Sequence, residues 1–549
     1  MSTRAIAPTG ITERYLTDPS FAERFHGAHW SDLRAAHDVA NRIQARKYPR
    51  EEIGAILKRQ NTRWDMRPET AKSIDQLVSG ALCVITGQQV GLFGGPLYTV
   101  YKALAAVSWA RELADKLERD IVPVFWLAGD DHDFAEINHV VLPDSDGKPV
   151  TWTYDQIANP GARVSHVRLG DDFSAWLRPV IDTLPNGAYR ESVSEALRDA
   201  YRPGATWANA FARFMTRWLG RFGIIFVNPD DDEFKRLMAP VFETEVRDPL
   251  ESRRLLAERD AEIEAEGYSP QVAHVENGTP LFIDDATGVR RRIDYVIADN
   301  AEVPSGFRWS GQSKAVPPEK LASVFLDSPN RFSANALLRP VTGDVVFPTV
   351  MHVMGPGEIA YMAQSRALYV RHGVPMPLVA PRAGFTVVDA HIARLLEREH
   401  LSVEESLCSS DCIIGERART AYSQHHAHTI DQLRQQIDGV FEGTSSELSE
   451  NLPGLRTAVS SARIKTHGLI SKLEQTVIKE LRRNERSNRD TLRKISDALY
   501  PKSAPQERVY AILPWLIRYG DDWLDALLNT MRDERTSHVA LFPDNPQDS

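Results

Sequence analysis

The chain has 549 residues, 42% of them apolar and 26% charged, with a formal net charge of −10 and three cysteines. That length allows a large core domain with inserted and appended units, and the longest apolar runs, IVPVFWLAG and FGIIFV, are strand-sized and far below the ~18 residues of a membrane span. Three cysteines exclude a disulfide framework, the acidic balance argues against nucleic acid as a general partner, and a start without basic-then-apolar order leads us to expect a cytoplasmic protein with no membrane contact.

Residues 1–80 are polar and helical in pattern, and we expect them to form an N-terminal region packed on the core. ALCVITG then reads as a buried strand, followed by the loop GQQVGLFGGP. Beyond it Leu97, Val100, Leu104, Val107, Ala110, Ala114 and Leu117 recur at intervals of three and four, so one apolar stripe runs along a helix with Lys102, Arg111 and Asp115 elsewhere around it. IVPVFWLAG is a second buried strand. Strand, helix and strand in so short a span make a βαβ unit with parallel strands.

Residues 150–169 read as strands around turns. Trp207, Phe211, Phe214 and Trp218 mark a helix face, and FGIIFVNPD follows as a strand closed by turn residues. Residues 231–266 form a charged helical stretch, and residues 280–298 a hairpin across Asp-Ala-Thr-Gly. A third strand, turn and helix appears in FPTVMHVMGPGEIAYMAQSRALYVRHG, ahead of a short strand from about Met376 to Ala380. The expected fold is therefore α/β, a Rossmann-like doubly wound parallel sheet over residues 81–390, with small β-containing insertions near 150–200 and 231–330.

From about residue 390 strand signals vanish. Leu433, Ile437 and Val440, then Leu455, Val459, Ala462, Thr466, Leu469 and Leu473 recur at near-heptad spacing around the turn ENLPGLR. Residues 391–500 thus read as a coiled-coil helical hairpin used for self-association as a homodimer, or folded back on its own chain. Residues 501–549 carry enough apolar side chains to return to the core as helices. Cys408 and Cys412 are spaced to share a helix face. With no second pair and no histidine at ligand spacing, no metal site is expected. Cys83 lies in an apolar run and reads as a small core hydrophobe.

Parallel α/β sheets bind ligands beyond the carboxyl ends of their strands. The first such edge releases Gly87, Gln88, Gln89 and Gly91, then Gly94 and Gly95 ahead of Pro96, a residue favoured in a helix's first turn. Glycines admit close backbone approach, and a helix start attracts phosphate or carboxylate, so Gly94 and Gly95, with Gly355 and Gly357 of the third loop, are candidates for binding a nucleotide. Gln88, Gln89 and Tyr98 add neutral donors and acceptors. The second strand ends in Asp130, Asp131, His132 and Asp133, which a crossover connection delivers to the same edge. These groups can hold an ammonium or take up a proton from an attacking amine; Asp133 also reads as the N-cap of a helix FAEINHV. In the third loop, Glu358 and Tyr361 stand at a helix start, with Asn335 and Arg339 upstream. Glu358 reads either as a ligand-binding group or as a first-turn carboxylate, and Arg339 either as an anion ligand or as an ordinary ion pair.

TGQQVGLFGGPLYTVYKA, PVFWLAGDDHDFAEINHV, NALLRPVTGDVVFPTVMHVMGPGEIAYMAQ and PQERVYAILPWLIRYG strongly resemble, in this order, the BshC family of cysteine-adding enzymes of bacillithiol synthesis. The resemblance implies a Rossmann-type core with connecting insertions, a coiled coil, and a ligase that joins cysteine to the amine of glucosaminyl malate. The core is also similar to class I aminoacyl-tRNA synthetases: GGPLYT stands where their histidine-containing motif would be, and GDDHDF resembles their Gly-Thr-Asp segment. Their paired histidines and Lys-Met-Ser-Lys-Ser loop are absent.

On this resemblance Asp131, His132 and Asp133 form the catalytic group. His132 takes the proton from the glucosamine nitrogen, and one of Asp130, Asp131 or Asp133 holds the cysteine ammonium. Malate's carboxylates fall to Arg339, Lys102 or Arg382, and ATP or another activating nucleotide is the expected cosubstrate. Two other readings stand beside it. One is a nucleotide-binding coiled-coil scaffold or regulator without turnover. The other is an RNA-linked aminoacyl-transfer relative, which the acidic charge disfavours.

Overall fold

A computed structural model describes residues 9–156, 161–297, 304–485 and 489–543. Two compact units divide the chain: Met1–Thr386 with Glu507–Ser549, and Val387–Gln506.

The first unit opens with helices over Ile11–Thr17, Pro19–His26, Leu33–Gln44, Arg50–Arg63 and Pro68–Ser79, several beginning at an aspartate or proline that suits a helix start. Strand β1 (Leu82–Gln89) then enters the core, and helix α1 (Leu97–Leu117) leads to β2 (Ile121–Ala128). A hairpin of β3 (His139–Pro143) and β4 (Pro149–Thr153) follows. Helix α2 (Trp207–Leu219) carries the chain to β5 (Ile225–Val227), and α3 (Asp232–Leu237) begins the charged helical stretch. Next come β6 (Gly278–Asp284), β7 (Arg290–Ile297), β8 (Pro304–Arg308) and β9 (Phe332–Ala334), which form an antiparallel sheet in the order β8-β7-β6-β9. Helix α4 (Arg339–Val346), β10 (Thr349–Met354), α5 (Pro356–Arg371) and β11 (Leu378–Pro381) complete the core.

The central sheet is parallel with the order β11-β10-β1-β2-β5. The chain fills one side of β1 and then returns to fill the other, so its topological switch point lies between β1 and β10. β10 is buried throughout and β1 over Leu82–Thr86, as apolar strands covered on both faces must be, while the carboxyl end of β1, residues 87–89, is partly exposed. The doubly wound Rossmann-like fold with β-containing insertions is what the sequence led us to expect.

Two local readings need correction. Of residues 150–169, β4 is a strand, but Val164–His166 is a short 3-10 turn, and residues 157–160 lie outside the described residues. The two strands that make a hairpin are β3 and β4, so the pairing starts earlier than the sequence pattern indicated. In α1 the apolar surface is no single stripe: Lys102 itself is 2% exposed, because the helix is covered nearly all round.

After residue 506 the chain lies in the first unit. Leu97 N–H donates to Tyr510 O at 2.9 Å, and the helices Leu513–Tyr519 and Asp522–Asp533 follow.

The second unit contains α6 (Ser410–His425), α7 (Ala427–Asn451), α8 (Arg456–Glu485) and α9 (Arg489–Leu499). Helices α7 and α8 run antiparallel, as the crossed ion pairs Arg434–Glu474 and Asp438–Arg463 require. Their inner seam joins Ile430, Leu433 and Ile437 to Ile470, Val477, Ile478 and Leu481. The expected seam is only half right. Val440, Leu455, Leu469 and Leu473 face solvent, 38–64% exposed, because α8 turns Ile470 and Val477 inward instead.

Candidate functional site

The crevice at the switch point is built from the carboxyl end of β1, the start of α1 and the start of α5. Lys102 projects from the second turn of α1, and its ammonium donates to Gly87 O at 3.0 Å, to Gln88 Oε1 at 2.9 Å and to Glu358 Oε2. The same Glu358 oxygen receives Gly355 N–H at 2.8 Å, so the carboxylate closes the first turn of α5 while it neutralises the lysine. Burial pushes the Lys102 ammonium below its ordinary value despite Glu358 beside it. Burial works to raise the Glu358 carboxyl, but Lys102 and the Gly355 N–H together hold it below the usual carboxylate range. Gln88 Nε2 donates to Tyr98 OH at 3.1 Å, which ties the first loop to α1.

Arg339 and Tyr361 complete this side. An Arg339 Nη2 donates to Tyr361 OH at 2.8 Å, and burial pushes the phenol up to about 12. Unlike Lys102 and Arg382, which is paired with Glu507, Arg339 makes no ion pair with a carboxylate among the described residues. An unpaired guanidinium lining a recess is a ready carboxylate or phosphate ligand. The recess, a cavity of about 40 Å³, lies beneath the crevice between β1, β10 and α4.

The end of β2 builds a second polar cluster. Gln89 pairs with Ala128 in register, so residues 129–133 emerge at the edge that carries Gln88 and Glu358. Asp130 is not free to hold a substrate ammonium. It contacts Lys235 Nζ at 3.0 Å and Arg163 Nη1 at 3.4 Å, within a network where Arg163 also holds Asp230 and, at 2.7 Å, Asp284. Burial, with the neighbouring Asp230 carboxylate, raises the Asp130 carboxyl, whereas Arg163 and Lys235 outweigh burial at Asp230 and lower it.

Asp131 and His132 do reach solvent, their side chains 44% and 48% exposed. The His132 backbone N–H donates to Asp131 Oδ1 at 2.7 Å, the two side chains approach to 3.3 Å, and Arg290 stands 3.6 Å from Asp131. Asp133 is exposed, and its side chain does not cap the 3-10 turn Phe134–Glu136 that replaces the expected helix. Gln89 is spent on Glu136 at 2.7 Å. Asn335 acts locally: its Oδ1 accepts the N–H groups of Leu337 and Leu338 at 3.1 and 2.9 Å and so turns the chain into α4.

The first glycine loop departs from the cradle reading. Gly91, Gly94 and Gly95 are buried. The N–H groups of Gly91, Leu92, Phe93, Gly95 and Leu97 already donate to Gln89 O, Ile137 O, Tyr201 OH, Leu92 O and Tyr510 O. Packing explains the glycines: a Cβ on Gly91 would lie 2.7 Å from Gly95 Cα, and Gly94, at φ 89°, rests on Met215 and Phe214. Gly95 therefore offers a nucleotide no free amide, and Gly94 is buried with its backbone against the Tyr201 hydroxyl. In the third loop Gly355 N–H is taken by Glu358, and Gly357 alone is exposed, with open space where a side chain would be.

The sequence reading missed Arg163, Lys235, Asp344 and His352. Only the last two carried a faint signal, as the ionisable residues of the apolar run VTGDVVFPTVMHVM.

An α/β chain with a polar crevice at the switch point of a parallel sheet belongs to the Rossmann-like class of ligand-binding proteins. Residues 2–383 match the family described as Bacillithiol biosynthesis BshC, N-terminal Rossmann-like domain, and residues 385–542 match Bacillithiol biosynthesis BshC, C-terminal coiled-coil domain. The chain belongs to the BshC family. It is similar to proteins from Salinibacter ruber (31% identity, covering 96% of this chain and 95% of that one), Solibacter usitatus (32%, 96% and 96%) and Symbiobacterium thermophilum (28%, 98% and 98%), each named "Putative cysteine ligase BshC".

Proposed function

We propose that the chain is a carbon–nitrogen ligase that adds L-cysteine to the glucosamine amine of glucosaminyl malate, the last step of bacillithiol biosynthesis. The observation that carries this reading is the unpaired Arg339 guanidinium over a recess at the switch point, beside the Lys102–Glu358 pair and the Asp131–His132 edge. A carboxylate-bearing substrate finds a cation there that no carboxylate among the described residues has claimed. Asp131 and His132, open to solvent at the same edge, take up the proton released when the amine nitrogen forms the amide bond. Of the cations considered for malate, Lys102 and Arg382 are held by Glu358 and Glu507, which leaves Arg339 as the one of the three open to a substrate carboxylate.

A free carboxylate is a poor electrophile, so the reaction needs cysteine in activated form, with ATP or another nucleotide as the activating cosubstrate. The first glycine loop does not fit the phosphates, and no step is assigned to it. Incubation with cysteine, glucosaminyl malate and ATP, and with each omitted in turn, tests the reading by mass spectrometry of the conjugate and of AMP or ADP. No conjugate under any combination, or under a pre-activated cysteine donor, sinks the ligase. We also propose self-association of two copies through the coiled-coil unit, because the exposed apolar stripe Leu469–Leu473 on α8 is left over once the inner seam is made.

A further inference from the structure

The recess beneath the crevice ends on a group that no reading of the sequence assigned. His352, on β10, is 6% exposed and its Nε2 lies 2.8 Å from Asp344 Oδ2; Tyr369 donates its hydroxyl to the same oxygen. The other oxygen, Asp344 Oδ1, is buried and has no partner, and neither lysine nor arginine pairs with this carboxylate among the described residues. Leaving a buried acceptor unpaired is costly, and more so for a charged group. The atom has almost no accessible surface, so a ligand in the recess meets it only if the Asp344 side chain turns toward the space. Asp344 and His352 both line the recess, with Arg339 and Glu358 lining it too.

The charges left over in this recess are specific. Lys102 neutralises Glu358 and His352 holds Asp344 Oδ2, so among the described residues one guanidinium, Arg339, has no carboxylate partner and one carboxylate oxygen, Asp344 Oδ1, has no donor. A dicarboxylate would meet the Asp344 carboxylate, and a simple amine would leave Arg339 unmatched. A zwitterion answers both. The other walls are short of room and apolar: Ile85, Pro340, Met354 and the Trp126 ring line the space, and a Cβ on Gly343 would already stand 3.3 Å from that ring. They suit a side chain of only a few atoms.

We propose that this recess is the α-amino acid subsite, in which Asp344 receives the ammonium, Arg339 the carboxylate, and His352 faces a short side chain such as that of cysteine. The proposal rests on the ligase reading for the identity of the amino acid, and it moves the ammonium ligand from the Asp130–Asp133 edge to Asp344. On this assignment Arg339 serves cysteine, and malate's carboxylates are held outside the recess.

Calorimetric titration of the full chain with L-cysteine and with 3-mercaptopropionate, which keeps the thiol and carboxylate but lacks the ammonium, tests it. L-cysteine binds the parent chain at least about tenfold more tightly than 3-mercaptopropionate, the usual scale for a charged hydrogen bond. Asp344→Asn abolishes that difference by weakening L-cysteine alone. Equal binding of the two compounds by the parent chain, no binding of L-cysteine, or full cysteine affinity in folded Asp344→Asn overturns the subsite. Should Asp344→Asn not fold, crystals of the parent chain grown with L-cysteine decide by the anomalous signal of the ligand sulfur: inside the recess it upholds the assignment, and elsewhere, or with only water at Asp344 Oδ1, it overturns it. Conjugate formation is read separately. A chain that makes conjugate while Asp344→Asn binds cysteine normally loses the subsite and keeps the ligase; one that binds cysteine as stated but makes no conjugate loses the ligase and keeps the subsite.

Discussion

Lys102 is held by three acceptors at once, and removing it leaves the half-buried Glu358 without its cation. Removing one partner of such a pair costs about 1–3 kcal/mol, because the surviving charge is only partly solvated. Lys102→Met therefore lowers unfolding free energy by that amount in urea titration, and adding Glu358→Gln restores part of it, a coupling that a double-mutant cycle measures. Arg339 behaves differently, since its side-chain partner is a phenol. Arg339→Lys keeps the charge but loses the planar fork, so conjugate yield under limiting substrate falls about tenfold or more while stability changes little. The sequence made Arg339, Glu358 and Tyr361 legible as a group, because each stands at a helix start beyond a strand. It did not reveal that Asp130 is locked by Lys235 and Arg163, since those partners are 105 and 33 residues away. Charge alone does not say which carboxylates are spoken for.

At the level of elements, the loop between β1 and α1 is fixed by close packing. Gly91 has an ordinary backbone, φ −64°, yet a Cβ there would sit 2.7 Å from Gly95 Cα. Gly91→Ala thus destabilises by about 1–3 kcal/mol through overpacking, whereas the same change at Gly357, where a Cβ meets open space, is nearly neutral; thermal melts compare the two.

The N-terminal helices brace the first turns of α5. His26, 2% exposed, meets Ile359 O at 2.9 Å, and burial lowers its imidazole from 6.5 to about 4. The unfolded chain takes up this proton below about pH 6.5, but the folded chain only near pH 4. The contribution is complete above pH 6.5 and is lost as pH falls toward 4, by up to about 3 kcal/mol. His26→Phe flattens that slope relative to the parent when urea midpoints are compared at pH 7 and 5. Element types and order were readable because strand runs are apolar and helices periodic. The 3-10 turns at Phe134–Glu136 and Val164–His166 were not readable, because so short a piece has no period to detect.

Across the molecule, two apolar faces compete for each helix of the coiled-coil unit. Heptad spacing found the surface of α8 that carries Leu469 and Leu473, while the surface that packs against α7 uses Ile470 and Val477, offset by one to four positions. Spacing counts residues and cannot tell which of two adjacent stripes turns inward. If the outer stripe joins two copies, Leu469→Glu with Leu473→Glu shifts sedimentation from dimer toward monomer without changing the helical circular dichroism signal. An unchanged sedimentation coefficient removes that stripe from the interface.

The position of β1 at the middle of the sheet also governs how the protein comes into being. Lys102 and Glu358, which meet across the crevice, are separated by 256 residues of chain. A ribosome must release the polypeptide beyond α5 before the half-made sheet next to β1 receives β10 and β11. Until then the apolar flank of β1 stands uncovered, a long interval for a nascent chain to be guarded by chaperones and a cause of slow maturation.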